Sequence, residues 1–451
     1  MSDSLGLTEA VSIALGGMIG GGIYAVLGVV AGIATSAIWV AFLVAGVVAT
    51  SAGYSFNVLN RLTDNRGGSV TFVQCYVGNS TLAGMVGWTL LFGYVGSMAM
   101  YAFAFGEFTA AFGVVPTSVA GVPVRPLISV VAVAGFVGLN LLGARTTGAA
   151  ENVLVALKIG ILVLFGILGA VYAVGFSGVP LEYGVDRLEG VGPVVAAAIS
   201  FVAFQGWQLL YYDQESIEDP VETIRKAVYI SIPVAVALYV LVGMVTVNLV
   251  PQALESHPHV ALKDAASMMM EPYGLARVGA VVLALSALFS TGSAINATLF
   301  SSAHFAKGLL SEDLLPDQIG DASADGVPER TVLVLGAITA AFTWYGSLGA
   351  ITSFASLAFI LVFGSMSYLA FRRRDHDDVN GVVPAVGAVG AAAFFPLMLY
   401  NLYTREPNTF YTVLGVAVVV VAVELLYFER DTLEAEVTEF ESDVRAAVEG
   451  D

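Results

Sequence analysis

The sequence predicts an all-α integral membrane protein of about twelve transmembrane helices, and three observations carry that reading. Of its 451 residues 57% are hydrophobic and only 12% charged, where soluble domains are about a quarter charged. The mean hydropathy is +0.83. The charges cluster between long uncharged stretches such as 10–60 and 331–371. Each stretch holds two helices of ~20 residues, the length that crosses a ~30 Å hydrocarbon core.

Taken in order, hydropathy and turn residues place the first span near 8–32. It begins without a basic region or cleavage site and is expected to stay as an anchor. It contains Gly16-Gly17-Met18-Ile19-Gly20-Gly21-Gly22-Ile23-Tyr24. Glycines at five of seven positions oppose an unbroken helix, each costing ~1 kcal/mol relative to alanine. A mid-membrane break is tolerated only where backbone faces protein or a watery cavity, and the next half-helix then offers bare N–H groups to an anion. The same glycines form the small-residue pairs Gly16/Gly20 and Gly17/Gly21 that serve helix packing. Taken alone, the segment supports both readings.

The second span, near 36–60, leads into Asn65-Arg66-Gly67-Gly68-Ser69. The third, near 80–112, carries Glu107 toward its outer end, where the carboxylate reads chiefly as solvated. The fourth lies near 126–144. The fifth, near 150–175, holds Lys158 about two turns in. An ionisable residue at that depth is functional by default; the other reading is a lysine snorkelling to the inner interface. The sixth, near 190–212, reads Phe201-Val202-Ala203-Phe204-Gln205-Gly206-Trp207-Gln208 and is followed by Glu215 and Asp219-Pro220. Gly206 between two glutamines marks a second interrupted segment. Interrupted helices in corresponding places of two halves point to a transporter's central site.

The seventh and eighth spans, near 224–250 and 276–303, flank an outer loop in which His257 and His259 bracket Pro258 and read as loop residues. Ser290 lies in the eighth, which runs on to Leu314-Leu315-Pro316. Spans near 331–346, 348–371, 380–402 and 408–428 complete the set. The acidic tail 429–451 has Leu433, Val437, Phe440 and Val444 at helical spacing, the pattern of a short amphipathic helix.

With the N-terminus inside, twelve Lys and Arg residues fall in cytoplasmic segments. Five fall outside (Arg125, Arg187, Lys263, Arg277 and Arg405), and Lys158 lies within the membrane. That bias sets both termini in the cytoplasm of a cell-membrane protein. The net charge is −18 with few lysines, which fits a salt-loving host where screening removes self-repulsion; the plainer reading is an acidic tail on an ordinary membrane protein. Cys75 is the sole cysteine, so no intrachain disulfide is possible. Histidines and acids show no metal-ligand spacing, no phosphate-binding loop follows a strand, and no nucleophile pairs with a base. The sequence therefore predicts neither an enzyme nor a cofactor, and nothing in it points to nucleic acid.

Jointly these residues resemble the amino acid–polyamine–organocation (APC) superfamily. Gly16 to Tyr24 is similar to that family's G-x-x-I-G-x-G-I-F signature, with Tyr24 in place of Phe. Phe201 to Gly206 resembles its F-x-A-F/Y-x-G motif, Asn65 to Ser69 its A-G-G-S loop, and Ser286 to Pro316 its eighth span with the D-G-x-L-P close. The pattern matches in order from Leu5 to about Phe428. It is nearest to the archaeal sodium-independent, proton-coupled subgroup, from which Gln205 departs because an apolar residue is usual there.

The resemblance implies a transporter domain over 1–428. Its five-plus-five inverted repeats would cover about 5–175 and 188–372, with helices 1 and 6 broken and extra helices in 380–428. It also implies an amino acid between the broken helices. Amides of Gly20, Gly21 and Gly22 would take the carboxylate, and carbonyls of Ile19, Val202, Ala203 and Gln205 the ammonium, with Phe204 and Trp207 as aromatic gates. Lys158 would occupy the sodium position of sodium-coupled relatives, touching the Gly16 carbonyl and the Ser290 hydroxyl and carrying the coupled proton. Burial penalises a charged ammonium, so a buried lysine is suited to proton exchange. The rivals are a polyamine or organic-cation carrier of the same fold, a membrane enzyme, and a sensor that binds without transporting.

Overall fold

The computed structural model describes residues 5–63, 67–113, 115–143, 148–176, 178, 181–320 and 327–423. Asn65, Arg66, Arg145 and the acidic tail 429–451 lie outside the described residues. The described chain is helical, chiefly α with short 3-10 segments, apart from an isolated bridge of Leu5 with Ile217 and one hairpin of two short strands, β1 (Ser118–Val119) and β2 (Val122–Pro123). Its helices are α1 (Leu7–Ala34), α2 (Ile38–Leu62), α3 (Ser69–Val77), α4 (Ser80–Ala110), α5 (Val124–Leu141), α6 (Gly148–Gly175), α7 (Gly192–Ser200) and α8 (Pro220–Leu249). They continue with α9 (Pro251–Ser256), α10 (Ala261–Met270), α11 (Ala276–Ser311), α12 (Glu329–Tyr345), α13 (Leu348–Arg372), α14 (Val382–Arg405) and α15 (Pro407–Val423).

Each of the twelve expected spans has its helix. Nine apolar stretches among the described residues are long enough to cross a bilayer, and the first of them, Leu7–Leu62, is α1 and α2 joined by a 3-10 turn. α12 and α15 are shorter, at 17 residues each, and α15 is apolar. α1 lies at the centre and packs on α7, α8, α11 and α6, and most of its length is buried. α15 has no buried residue, as suits a helix whose surroundings are lipid.

The contacts between connections sort into two faces, as twelve crossings require. On one face Leu5 pairs with Ser216 and Glu218, Arg61 reaches the Asp378 carbonyl, and Gln74 meets Glu312 at the foot of α11. On the other, Lys263 meets the Ala111 carbonyl, Arg125 the Thr343 carbonyl, and Ser347 meets Glu406.

The structure corrects one expectation. The break in span 6 is present, but α1 runs from Leu7 to Ala34 without interruption. Its glycines serve close packing instead. A Cβ on Gly17 would lie 2.7 Å from the Gly206 Cα, and one on Gly20 2.7 Å from the Ala294 Cβ. Gly21 has the Tyr101 ring against it, and Gly22 the Tyr239 hydroxyl. Four neighbours thus approach one helix at backbone distance, and burial on every side outweighs a propensity cost of ~1 kcal/mol per glycine.

Candidate functional site

The break in the sixth span is built by its own sequence and by one serine. α7 ends at Ser200, and Phe201–Phe204 tightens into a 3-10 turn. Gln205 is extended, Gly206 takes φ 133°, and a second 3-10 segment covers Trp207–Tyr212. Only glycine adopts such a φ without strain. Backbone groups released by a break inside a membrane must find new partners. The Val202 N–H donates to Ser356 Oγ (3.1 Å), and that hydroxyl donates to the Ile199 carbonyl (2.6 Å). The Gly206 N–H donates to Gln208 Oε1 at 2.6 Å.

This junction sits on α1, where Gly17 and Gly206 meet backbone to backbone. Two tyrosines tie the pair to the rest of the bundle. Tyr239 on α8 places its hydroxyl 2.6 Å from the Met18 carbonyl and 2.9 Å from the Ala203 carbonyl. One hydroxyl carries one proton, so the two carbonyls share that donor, and the Met18 carbonyl also accepts within the continuous α1. Tyr101 on α4 lies across Gly21, and its hydroxyl accepts from Gln205 Nε2. Gln208 Nε2 donates to Gln205 Oε1 at 3.1 Å, completing a chain from Gly206 to Tyr101. All of these side chains are buried.

The predicted residues are therefore gathered, with differences. Ile19, Val202, Ala203 and Phe204 are buried at the α1–span 6 contact, and the Phe204 ring packs on Tyr239 at 5.3 Å. The Val202 carbonyl accepts from the Gln205 N–H (3.2 Å). The amides of Gly20, Gly21 and Gly22 lie inside α1 rather than at a helix start, so the expected row of bare donors is absent from this state. Trp207 packs between Phe56 and Phe363, each 5.0 Å away, as part of an aromatic cluster under α2 and α13.

Lys158 is 4% exposed and is the one charged residue among the described buried residues. Snorkelling is thereby ruled out for this side chain. Its Nζ donates to Ser293 Oγ at 2.6 Å, and that hydroxyl in turn donates to the Ser290 carbonyl. Ser293, one turn beyond the expected Ser290, thus meets the lysine, while Ser290 Oγ is buried without a hydrogen-bond partner. Gly16 is buried on α1, the helix on which α6 packs.

Sequence reasoning missed Tyr101, Tyr239, Ser293 and Ser356. A lone tyrosine or serine in an apolar span carries no signal of which face it takes. Glu107 pairs with Arg125 (3.9 Å), whose guanidinium lies 3.8 Å over the Phe103 ring. His259 packs edge-on to that ring. No cluster of potential metal ligands occurs among the described residues.

The sequence pattern of an amino acid permease family matches residues 5–423. The chain is 25% identical over 429 residues to an uncharacterised protein of Methanocaldococcus jannaschii, covering 94% of this chain and 95% of that one. It is 28% identical over 419 residues to the inner membrane transport protein YbaT of Escherichia coli, covering 91% and 93%. A methylthioribose transporter of Bacillus subtilis is 21% identical over 453 residues, covering 96% and 95%.

Proposed function

The chain belongs to the amino acid permease family of the APC superfamily, and from that premise we propose a proton-coupled, sodium-independent carrier of neutral amino acids. It is a multi-pass membrane transporter of that family, and the family is not one of enzymes. The observation that carries the reading is the close backbone junction where broken span 6 meets α1, with Gly206 buried and Gly17 half-buried. Beside it the Ala203 carbonyl shares the Tyr239 proton and is suited to an ammonium, and the Met18 carbonyl can join it once α1 opens and the helix releases it. The glycines Gly20, Gly21 and Gly22 can present amides to a carboxylate once α1 opens there, and they leave no side chain in the way. Alternating access is then a switch between the continuous α1 and a broken one, in the five-plus-five repeat frame of 5–175 and 188–372.

Buried polar residues favour a neutral substrate side chain. Among the described buried residues there is no carboxylate, which a diamine or a cationic side chain would need for its second charge. Gln205, Gln208 and Tyr101 instead offer neutral donors and acceptors.

Lys158 is the proposed coupling group. Protonated, it holds α6 to α11 through Ser293; deprotonated, it loses the charge-assisted part of that bond. The decisive experiment is uptake of radiolabelled amino acids into reconstituted vesicles. Accumulation is expected with an inward proton gradient and no sodium, and putrescine or agmatine should compete poorly. Strict sodium dependence overturns the coupling, and better competition by the amines overturns the substrate class.

A further inference from the structure

The outer wall of the bundle has a groove lined by none of the carrier-site residues. It runs between α2 and the corner where α13 turns into α14, and its volume is about 1040 Å³. Val44 and Val47 form one wall, Val386 and Val389 the other, and Arg374 and Asp375 stand at one end. Val47 and Val389 are more than half exposed, and on spanning helices that exposure is to acyl chains. The α14 wall from Val382 to Gly390 is about 12 Å long by helical rise. That length matches one leaflet of a ~30 Å core. The trough persists because α14 touches α2 and α13 through glycines: a Cβ on Gly387 would lie 3.2 Å from the Ser51 Cβ.

The rim is what selects the occupant. Arg61 and Arg373 on the same face reach backbone carbonyls of Asp378 and Tyr76, and Arg225 and Lys226 pair with Glu222. Arg374 differs. Its stem lies against Gly381, and its guanidinium sits 4.6 Å over the Phe371 ring. It makes one long bond, 3.4 Å, to the Phe371 carbonyl. No carboxylate pairs with it among the described residues, so most of its five donors remain available. Asp375 beside it likewise has no ion-pair partner among those residues. A cation and an anion at the mouth of an apolar trough complement a phosphate and an ammonium on one molecule.

We propose that this groove binds one zwitterionic glycerophospholipid, with an acyl chain along the valines, the phosphodiester on Arg374 and the headgroup ammonium at Asp375. The test is native mass spectrometry of the full chain in mild detergent, offered phosphatidylethanolamine, phosphatidylglycerol or diacylglycerol. Wild type should retain one phosphatidylethanolamine in preference to the other two. Arg374→Ala should lower that retention about tenfold, and Asp375→Asn should bring it down to the level of phosphatidylglycerol. Ala385→Trp, which fills the trough and leaves the charges, should also lower it. Unchanged retention in Arg374→Ala overturns the proposal. So does equal retention of diacylglycerol or phosphatidylglycerol by wild type, or a dimer of the chain in place of a lipid-bound monomer.

Discussion

At Gln205 a single side chain joins the broken span to α4 and to its own next turn. Its Nε2 serves Tyr101 and its Oε1 serves Gln208, so Gln205→Met strands two buried polar groups. Each stranded group costs about 1–3 kcal/mol, and the detergent-solubilised variant should melt measurably lower. The larger consequence is for selectivity: transport should survive but shift toward apolar side chains, read by competition across a labelled amino-acid panel. An unchanged preference profile would put Gln205 outside the substrate pocket. Lys158→Ala removes the only charge in the described buried set. It should abolish accumulation driven by a proton gradient while leaving amino-acid counterflow within a few-fold of wild type. Both residues were legible in the sequence because each is a polar exception in an apolar run. Tyr101, Tyr239 and Ser293 were not, since the face that a span turns inward is decided by its neighbours. The same limit explains the one-turn difference between Ser290 and Ser293.

Among the elements, α1 and the sixth span show how far composition reaches. Both carry glycines, yet only span 6 is broken, because Gly206 needs φ 133° while the α1 glycines need only closeness. Counting glycines weighs propensity and cannot weigh the burial that opposes it. Gly206→Ala meets two obstacles: a backbone conformation costing of order 1–3 kcal/mol for any other residue, and a Cβ 2.8 Å from the Gly17 backbone. We expect transport to fall below a tenth of wild type in vesicles and the melting midpoint to drop. Undiminished uptake would mean that the α1 contact is not part of the working cycle. The α9–α10 segment carries a pH dependence of its own. Pro258 sits on Gly28, and His259 beside it packs on Phe103. Burial, and after it the Arg125 charge, holds the His259 imidazole below its ordinary range. Once the loop is released, the ring regains a pKa near ~6.5 and takes up a proton that the docked ring refuses. Docking is therefore stable above that value and weakens as pH falls through it toward the docked pKa. Glu107 pairs with Arg125, Lys263 on α10 meets the Ala111 carbonyl and Asp264, and among the described residues no acid pairs with the ring. Hydrogen exchange of amides 251–270, corrected for intrinsic rates, should accelerate from pH 7.5 to 5.5 in wild type and stay flat in His259→Phe.

For the molecule as a whole, topology was the most legible property, because bilayer thickness fixes span length and alternation fixes the faces. All twelve expected spans have helices, and residues counted to one side meet one another: Arg61 with Asp378, Arg373 with Tyr76, Gln74 with Glu312. Which face is cytoplasmic rests on charge alone, through the excess of Lys and Arg on the side of Arg61 and Arg373. Cys75 allows a direct test. It is the sole cysteine, is exposed, and lies on α3, beside Gln74 and Tyr76, which contact Glu312 and Arg373. If the basic face is cytoplasmic, a membrane-impermeant maleimide should leave intact cells unlabelled and label inverted vesicles fully. Cys75→Ser should remove the signal in both, and a cysteine placed at Tyr183, which is exposed beside Trp39 on the opposite face, should label in the reverse order when built on Cys75→Ser. Labelling of Cys75 from outside intact cells would invert the whole orientation. It would also place the α9–α10 loop with His259 on the cytoplasmic side.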